Sequence, residues 1–535
     1  MFSASYFRRV PSFGVAKACS YGRLPLFLLV AALLTGCSPQ TKEPPSAAPV
    51  ALSASDVTEQ VHQFCGACHA YPPPETFRRE DWKTEVERGY AFFAQSNLPL
   101  RAPPIDQVIH YYEERSPLAM PELKLERSTT PFSVAFEQSQ YPEPAHKEPP
   151  AVSNLNLVHL FSKDRLDVLA CDMRRGQVMA LQPYAAHPTW QVLAQVSHPA
   201  HAEVVDLDGD KVADVLVANL GNFKPTDRLL GSVVWLRGLG NGRFQPVTLL
   251  ENVGRVADVR AADFNGDGKL DLVVAAFGWN NIGEIYYLEN QTTDWTKPQF
   301  AKHQVDNRHG AIHVPVVDLD KDGRPDFVAL ISQEHETIVA FMNEGNGSFR
   351  KETIWSAPHP GYGSSGIELV DLNGDKELDI LYTNGDVLDQ PYFVKPYHSI
   401  QWLENPGKSP AGRKGSAWVH HPLAPMYGVH RAVAADLDQD GDLDIVAVSF
   451  LPAEGFPQRK QKDLDSIIVL EQTAPGKFTR HALETATCDH VTCVVGDVFG
   501  TGRPDLVLGN FTSTPLEHSV TFWKNQGRRS APKLK

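Results

Sequence analysis

A nine-residue pattern of acidic and amide side chains recurs along the C-terminal three quarters of this 535-residue chain. Five copies have aspartate or asparagine at the first, third, fifth and ninth positions: Asp206, Asp208, Asp210 and Asp214; Asp263, Asn265, Asp267 and Asp271; Asp318, Asp320, Asp322 and Asp326; Asp371, Asn373, Asp375 and Asp379; and Asp436, Asp438, Asp440 and Asp444. Degraded copies at 159–167 and 497–505 flank these five. The ninth-position aspartate thus occurs at 167, 214, 271, 326, 379, 444 and 505, which indicates seven structural repeats.

Each copy has the same predicted β-structure around it. An alternating apolar run leads into the loop, a β-rich run leads out, and two more short strands follow, as in residues 203–205, 214–218, 233–236 and 240–244. Four strands in each of seven repeats predict a seven-bladed β-propeller over residues 131–535. Because residues 527–535 are polar and basic, we expect residues 132–137 to supply the outer strand that closes the ring and covers its edges.

The aspartate loops and their flanking strands resemble the FG-GAP/VCBS repeat family over about three quarters of the chain. Oxygen atoms at positions one, three, five and nine, with a main-chain carbonyl at seven, are suited to surround a hard cation. We therefore expect up to five Ca²⁺ ions, one in each complete copy. The alternative is that the aspartates cap the turns by side-chain hydrogen bonds, without any metal.

The formal net charge of −14 agrees with cation-binding loops. The five complete copies contain 18 aspartates at these positions, and five Ca²⁺ ions would offset ten negative charges. The acidity is then a property of the loops rather than of a surface for a basic partner. The sequence has no basic stripe, so nucleic-acid binding is not expected.

Residues 65–69 read Cys-Gly-Ala-Cys-His, a CxxCH motif. This spacing is typical of c-type haem attachment, in which Cys65 and Cys68 bond to the haem vinyl groups and His69 binds the iron. Periodicity predicts helices at 55–64, 79–94 and 105–115. The unit at 55–121 resembles a compact cytochrome c in size and motif, with a linker at 122–130. The predicted fold is thus mainly β, a seven-bladed β-propeller preceded by a small all-α cytochrome c-like domain.

The second axial ligand of the haem iron has three candidate assignments. Met120 stands in a Met-Pro sequence, 51 residues after His69, which resembles the distal segment of many cytochromes c. However, Met120 follows the third predicted helix, whereas such a methionine usually precedes the last one. His110 is the second candidate, and an open coordination position is the third.

The N-terminus has the pattern of a bacterial export signal. Residues 1–23 are basic without any acidic residue, and the apolar run at 24–34 is too short to span a bilayer as a mature helix. Residues 34–37 resemble a lipobox, which implies a leader at 1–36, a lipid on Cys37 and, with Ser38 following, an outer-membrane location. Residues 37–54 would form a flexible tether. The alternative is a short transmembrane anchor.

The loops opposite the aspartate loops contain many polar side chains. Since the aspartate loop joins the first two strands of a blade, the loops that enter the first strand and leave the second must lie at the other end. Histidine recurs at this strand entry, and we expect a polar funnel for a small anionic or carbohydrate-like substrate or a metal. Its candidate residues are His201, Asp258, His309, His313, His430 and His490. The alternative is ordinary solvated loops.

These features allow three functions. The favoured one is an electron-transfer lipoprotein whose propeller binds a redox partner protein or a ligand. The second is an oxidoreductase that oxidises a small substrate in the funnel and passes electrons to the haem. The third is a calcium-stabilised adhesion or scaffold protein. The sequence has no readable nucleophile–base pair, quinone motif or flavin motif, so it does not establish an enzymatic activity.

Overall fold

The computed structural model describes residues 54–96, 98–388, 392–407 and 417–529. The predicted leader, the lipidation site Cys37 and nearly all of the tether lie outside these residues. Three α-helices come first: α1 (Ala54–Cys65), α2 (Trp82–Ser96) and α3 (Ile105–Arg115). Short 3₁₀ turns occur at Pro74–Thr76 and Pro457–Arg459. In the described part of the chain, no helix combines the length and apolar character needed to cross a membrane.

Seven antiparallel sheets follow the helices, each built around four strands. Blade 1 contains β2 (Val152–Val158), β3 (Asp167–Asp172), β4 (Gln177–Leu181) and β5 (Gln191–Gln195). Blade 2 contains β6 (Pro199–Val205), β7 (Asp214–Asn219), β8 (Gly231–Gly238) and β9 (Phe244–Val253). Blade 3 contains β10 (Val256–Ala262), β11 (Asp271–Ala276), β12 (Glu284–Asn290) and β13 (Phe300–Asp306). Blade 4 contains β14 (Ala311–His313), β15 (Val316–Val317), β16 (Asp326–Ile331), β17 (Thr337–Gly345) and β18 (Ser348–Ser356).

The remaining three blades complete the ring. Blade 5 contains β19 (Gly366–Val370), β20 (Asp379–Thr383), β21 (Ser399–Glu404) and β22 (Val419–Pro425). Blade 6 contains β23 (Val429–Ala435), β24 (Asp444–Ser449), β25 (Asp465–Ala474) and β26 (Lys477–Thr485). Blade 7 contains β27 (His490–Gly496), β28 (Asp505–Asn510) and β29 (Val520–Arg528). Its fourth strand is β1 (Val134–Ser139), which pairs with β29. The seven-bladed propeller and its closure by the N-terminal strand are confirmed, with the closing strand two residues later than predicted.

The core of the propeller lies between its blades. In blade 4 the first strand is split into β14 and β15, which both pair with β16. The second strand of every blade, β16 in blade 4, is buried along its whole length, because both faces of each sheet pack against neighbouring blades. One such cluster brings Leu216 and Trp235 of blade 2 together with Leu272 and Val274 of blade 3. The first strands of adjacent blades are neighbours around the axis, and β2 meets β27 where the ring closes.

The helical unit has a small aromatic core of its own. Val61 on α1, Trp82 on α2 and Tyr112 on α3 are all buried, and the rings of Trp82 and Tyr112 stack 3.8 Å apart. The third helix has the predicted bounds, whereas α2 begins three residues later than predicted. The turn just before α2 is stabilised by Arg78, whose guanidinium pairs with the Asp81 carboxylate at 2.8 Å.

Candidate functional site

The ninth-position aspartate of each loop is a buried structural clamp. Asp214 has no exposed surface; its Oδ2 accepts a hydrogen bond from the Leu207 N–H (3.0 Å) and its Oδ1 accepts one from the Gly238 N–H (2.6 Å). The carboxylate thereby ties the loop to the end of the third strand. Asp505 does the same in the degraded last copy, with the Val498 and Asn525 N–H groups. Burial raises the pKa of Asp379 to about 6 and that of Asp444 to about 7.

In three of the loops, aspartates approach one another closely enough to share a cation. Ligand atoms lie within 4.8 Å of one another in three sets: Asp206, Asp208 and Asp210; Asp318, Asp320 and Asp326; Asp436, Asp438 and Asp440. Carboxylate oxygens in this arrangement suit Ca²⁺, which takes six to eight oxygen ligands. These are three of the five loops in which the sequence predicts a Ca²⁺ site.

The two loops with asparagine at the third position hydrogen-bond to their own backbone, as the loops that begin at Asp318 and Asp436 also do. In one, Asp263 Oδ1 accepts the N–H groups of Gly266 (2.7 Å) and Asp267 (3.1 Å). In the other, Asp371 Oδ1 accepts those of Gly374 (2.8 Å) and Asp375 (3.0 Å). This is the hydrogen-bonding arrangement considered above as the alternative to a metal, and it occurs in loops of both kinds. The hydrogen bonds therefore do not separate turn caps from cation-type loops.

Three of the six predicted funnel residues meet at the propeller axis. His201 on β6 and Asp258 on β10 are joined by a 3.0 Å contact between Nδ1 and Oδ1. The Val314 N–H, from blade 4, donates to Asp258 Oδ2 at 2.9 Å, and His313 interacts electrostatically with the same carboxylate. Arg260 Nε also donates to Asp258 Oδ1, at 3.0 Å. One carboxylate therefore links three consecutive blades at the inner wall of the ring.

Burial and charge set the protonation of this cluster. Burial alone would raise the pKa of Asp258, but Arg260 and His201 outweigh it and hold that pKa well below its usual range. Burial lowers the pKa of His201, and it lowers that of His313 to about 3. The cluster thus contains an ionised carboxylate, a guanidinium and two neutral imidazoles at neutral pH. The Arg260 side chain is 26% exposed while Asp258 has no exposed surface, as expected for a wall that meets water on one side.

The sequence-based prediction of the funnel omitted charged residues that lie two positions further along the first strands of the blades. Glu203 follows His201 by two residues, and Arg260 follows Asp258 by two. Glu368 holds the corresponding second position on β19, and its Oε2 accepts the Ala434 N–H at 3.0 Å. Burial raises the pKa of Glu203 to about 7 and also raises that of Glu368. Alternate residues of a strand face the same side, so a charged residue two positions after His201 or Asp258 in an otherwise apolar strand could have indicated that it shares the inner wall.

The other three predicted funnel residues lie elsewhere. His309, in the loop that enters β14, contacts Glu334 with a distance of 2.9 Å between Nε2 and Oε2. His430 occupies the bulge of β23 beside the Phe450 ring, and burial lowers its pKa to about 4. His490 begins β27 and pairs with Glu484 at 3.2 Å.

The CxxCH residues occupy the end of α1 and the turn after it. Cys65 is half-buried and Cys68 is exposed. His69 Nδ1 donates to the Ala70 carbonyl at 2.8 Å. His110 is exposed on α3 and pairs with Glu114 at 2.9 Å. Met120 is half-buried in the segment after α3.

The helical unit and the segment after it pack against blades 5 and 6. Phe77 meets Phe393 with ring centroids 5.9 Å apart, and a Cβ on Gly361 would lie 2.9 Å from Phe77 Cζ. The Leu123 N–H donates to the Tyr427 hydroxyl at 2.6 Å. Phe393, Gly361 and Tyr427 all lie in loops that enter first strands or leave second strands. The CxxCH helices and the axial cluster therefore belong to the same end of the propeller, which we call the histidine end.

Comparison with known proteins identifies the repeats. The model of the FG-GAP-like repeat matches residues 206–274 and 318–382. The chain is 22% identical, over 276 residues, to the T-cell immunomodulatory protein homolog of Plasmodium falciparum (isolate 3D7), covering 48% of this chain and 34% of that protein. It is 24% identical over 229 residues to the homolog of the same name from Plasmodium yoelii yoelii, covering 40% and 29%. The chain thus spans about a third of the length of these curated relatives.

Proposed function

With a seven-bladed propeller of FG-GAP-like repeats as its scaffold, we propose that this chain is an exported, lipid-anchored c-type haem protein that transfers electrons. The propeller serves as a calcium-binding module that docks a ligand or a redox partner. The CxxCH motif at residues 65–69 carries the proposal. Its position in helices that pack on the histidine end supports a functional link between the two parts.

The residues of the motif fit a covalently attached haem. The hydrogen bond from the His69 Nδ1–H to the Ala70 carbonyl leaves the Nε2 lone pair available to a metal. Most metal-binding imidazoles donate their other ring N–H in this way. The exposed Cys68 is accessible for thioether formation, and the half-buried Cys65 packs against the aromatic core of the helices. Gly66 keeps the turn compact, because a Cβ there would lie 2.8 Å from the His62 carbonyl oxygen. The bound haem would supply one-electron redox chemistry.

The surface of the helical unit also favours a large apolar cofactor. Phe92, Leu98, Leu100 and Leu118 are between 38% and 76% exposed. A unit of about 65 residues buries too little apolar surface to form a large core by itself. A porphyrin supplies apolar area in such a unit, and exposed apolar side chains commonly mark a binding surface.

An oxidoreductase is the second candidate, and the axial cluster favours it. Asp258, Arg260, His201 and His313 form a charged and polar wall at the end of the propeller that also carries the CxxCH helices. A small anionic or hydroxylated substrate held there would lie at the same end as the proposed electron acceptor. In this version the propeller binds the substrate rather than a partner protein.

Attachment of haem is the decisive test of the electron-transfer proposal. We expect the purified mature protein to have a c-type visible spectrum and an intact mass that includes one haem. Cys65→Ala combined with Cys68→Ala should abolish covalent haem because neither thioether bond can form, whereas Cys493→Ala, at a buried thiol on β27, should retain it. A colourless wild-type protein with two alkylatable thiols at 65 and 68 would refute the proposal and leave the calcium-stabilised scaffold.

Two further measurements identify the second axial ligand of the iron and the type of reaction. Carbon monoxide binding to the reduced protein would indicate an open iron position, which favours the oxidoreductase. Absence of carbon monoxide binding in the wild type, with binding in Met120→Ala, would identify Met120 as the second ligand. Substrate-dependent haem reduction with sugars or alcohols distinguishes the oxidoreductase from an electron carrier.

The location of the protein is tested independently of the haem. We expect the wild type to sediment with outer membranes and Cys37→Ala to be released, because the lipid on that sulfur is the proposed anchor. Retention of Cys37→Ala in the membrane fraction would instead support a transmembrane anchor.

A further inference from the structure

The histidine end contains a second cluster of potential ligands, separate from the axial cluster and formed within blade 4. His309 precedes β14, and Glu334 and His335 lie in the loop between β16 and β17. One nitrogen or oxygen atom from each of the three side chains lies within 4.8 Å of the other two. From this geometry we infer a binding site for a first-row divalent cation of the zinc type, with His309, Glu334 and His335 as its ligands.

An ion pair alone does not account for all three residues. His309 Nε2 and Glu334 Oε2 are 2.9 Å apart and satisfy each other as a hydrogen-bonded pair. His335 Nε2 lies 3.9 Å from Glu334 Oε1, is inaccessible to water, and has no hydrogen-bond partner among the described residues. A buried ring nitrogen without a partner is costly, whereas a cation between the three side chains would use it.

The distances require only a small adjustment. Two ligand atoms each about 2.0–2.1 Å from one tetrahedral zinc ion are roughly 3.3 Å apart. The observed separations of 2.9 and 3.9 Å lie on either side of this value. The two contacts use the two different oxygens of Glu334, whose side chain is 37% exposed and so has room to turn toward an ion shared with both imidazoles.

The backbone around the cluster is fixed in place before any ligand binds. The Ser332 N–H and Oγ both donate to the Gly310 carbonyl, at 2.8 and 3.0 Å, which ties together the two loops that carry the ligands. Beneath His309, a Cβ on Gly283 would lie 2.5 Å from the His309 Cβ, so that position accepts only glycine. Such support limits the entropy lost when a metal binds.

The neighbouring charges are compatible with a cation. Arg308, the cationic side chain beside the cluster, forms a bidentate pair with Asp306 at 2.9 and 2.8 Å. Two imidazoles and one carboxylate are the ligands preferred by zinc, iron or copper, in contrast to the all-oxygen aspartate loops. Three protein ligands leave the fourth position of a tetrahedral ion open, so the bound cation could hold an oxygen atom of a substrate.

Calorimetric titration with Zn²⁺ tests the site on the full mature chain. The protein is treated with a chelator, returned to excess Ca²⁺ so that the aspartate loops are saturated, and treated with iodoacetamide so that accessible Cys65 and Cys68 thiols cannot bind zinc. We expect one Zn²⁺ ion per chain. His309→Ala and Glu334→Gln should each weaken Zn²⁺ binding at least tenfold, since each removes a direct ligand.

The matched control is His303→Ala. His303 forms an exposed pair with Glu289 at 3.2 Å on the neighbouring blade, which resembles the His309–Glu334 pair but lacks a third ligand. Its titration should equal that of the wild type. The inference fails if the wild type binds no Zn²⁺ under these conditions, or if Glu334→Gln, a conservative change at a half-exposed residue, binds Zn²⁺ as tightly as the wild type. Neither result depends on whether the chain carries haem.

Discussion

The aspartate end and the histidine end of the propeller satisfy their polar groups in different ways. At the aspartate end, the same carboxylate-to-backbone contacts recur from blade to blade, even in the degraded last copy. At the histidine end, polar groups from different blades meet each other, as in the contacts of the His201 ring and the Val314 N–H with the Asp258 carboxylate. Repeated contacts can stabilise every blade alike, whereas contacts that occur once form a particular site. The comparison assigns the repeated structural contacts to one end and the candidate site to the other.

The largest effect is expected from Asp258→Ala, which tests whether the histidine end is also structurally important. The change removes the partner of Arg260 and His201 and the acceptor of the Val314 N–H. Loss of one member of a buried charge pair costs about 3–5 kcal/mol, so urea unfolding should show a loss in that range. A loss below about 1 kcal/mol would mean that water in the channel already compensates these groups.

Asp505→Ala tests the clamp in a loop that lacks the cation ligands. The change leaves the buried N–H groups of Val498 and Asn525 without their acceptor. At about 1–2 kcal/mol for each of these two groups, in the lower part of the range for an unsatisfied buried group, we expect a loss of about 2–4 kcal/mol, equal with and without Ca²⁺. Asp164→Asn, at an exposed position of the other degraded copy, is the control and should change stability by less than about 0.5 kcal/mol.

The contrast between the ends also explains which features could be predicted from the sequence. The repeat period and the strand alternation specify seven blades, because each blade must bury the same apolar faces against its neighbours. The closing strand was predictable for the same reason, since an unpaired edge of blade 7 has to be covered. The strand begins and ends two residues later than predicted, and Phe132, which the prediction placed in the strand, is buried in the core just before it.

The site was predictable only in part. Histidine at the strand entries pointed to His201 and His313, but the same rule selected His430, which lies in the bulge of β23. The register of a bulged strand decides which side chain faces the axis, and spacing alone does not reveal a bulge. Likewise, Glu334 and His335 meet His309 only because two loops separated by more than 20 residues fold together.

Removal of Ca²⁺ tests whether a complete aspartate loop binds the ion and a degraded loop does not. Asp206→Asn with Asp210→Asn removes two charges from a set whose ligand atoms converge. At Ca²⁺ concentrations about 100 times the dissociation constant, a lost site reduces the free energy of unfolding by about 2.7 kcal/mol. We expect this loss in the presence of Ca²⁺, and a much smaller one in a chelator. Asp497→Asn, in the degraded last loop, should leave the Ca²⁺ dependence unchanged.

The smallest effect is expected from Glu203→Gln, which tests the channel wall by its pH dependence. Burial raises the pKa of Glu203 from 4.5 to about 7, so the folded protein binds this proton more tightly than the unfolded chain. The stabilisation is complete below pH 4.5 and is lost as the pH rises through about 7. Glutamine has no proton to lose, so between pH 5 and 8 the wild type should lose on the order of 2 kcal/mol relative to the variant.

Urea unfolding of both proteins at several pH values measures this difference directly. Glu251→Gln, at an exposed glutamate on β9, corrects for the general effect of removing one negative charge. A difference curve that falls between about pH 4.5 and 7 and is level above that range would mean that the carboxyl group of Glu203 is desolvated despite the nearby Arg260. A flat curve would mean that Arg260 and channel water already stabilise the carboxylate. In that case water reaches Glu203 and Arg260, two residues beyond His201 and Asp258 along the first strands. An anionic ligand would then compete with water for these side chains.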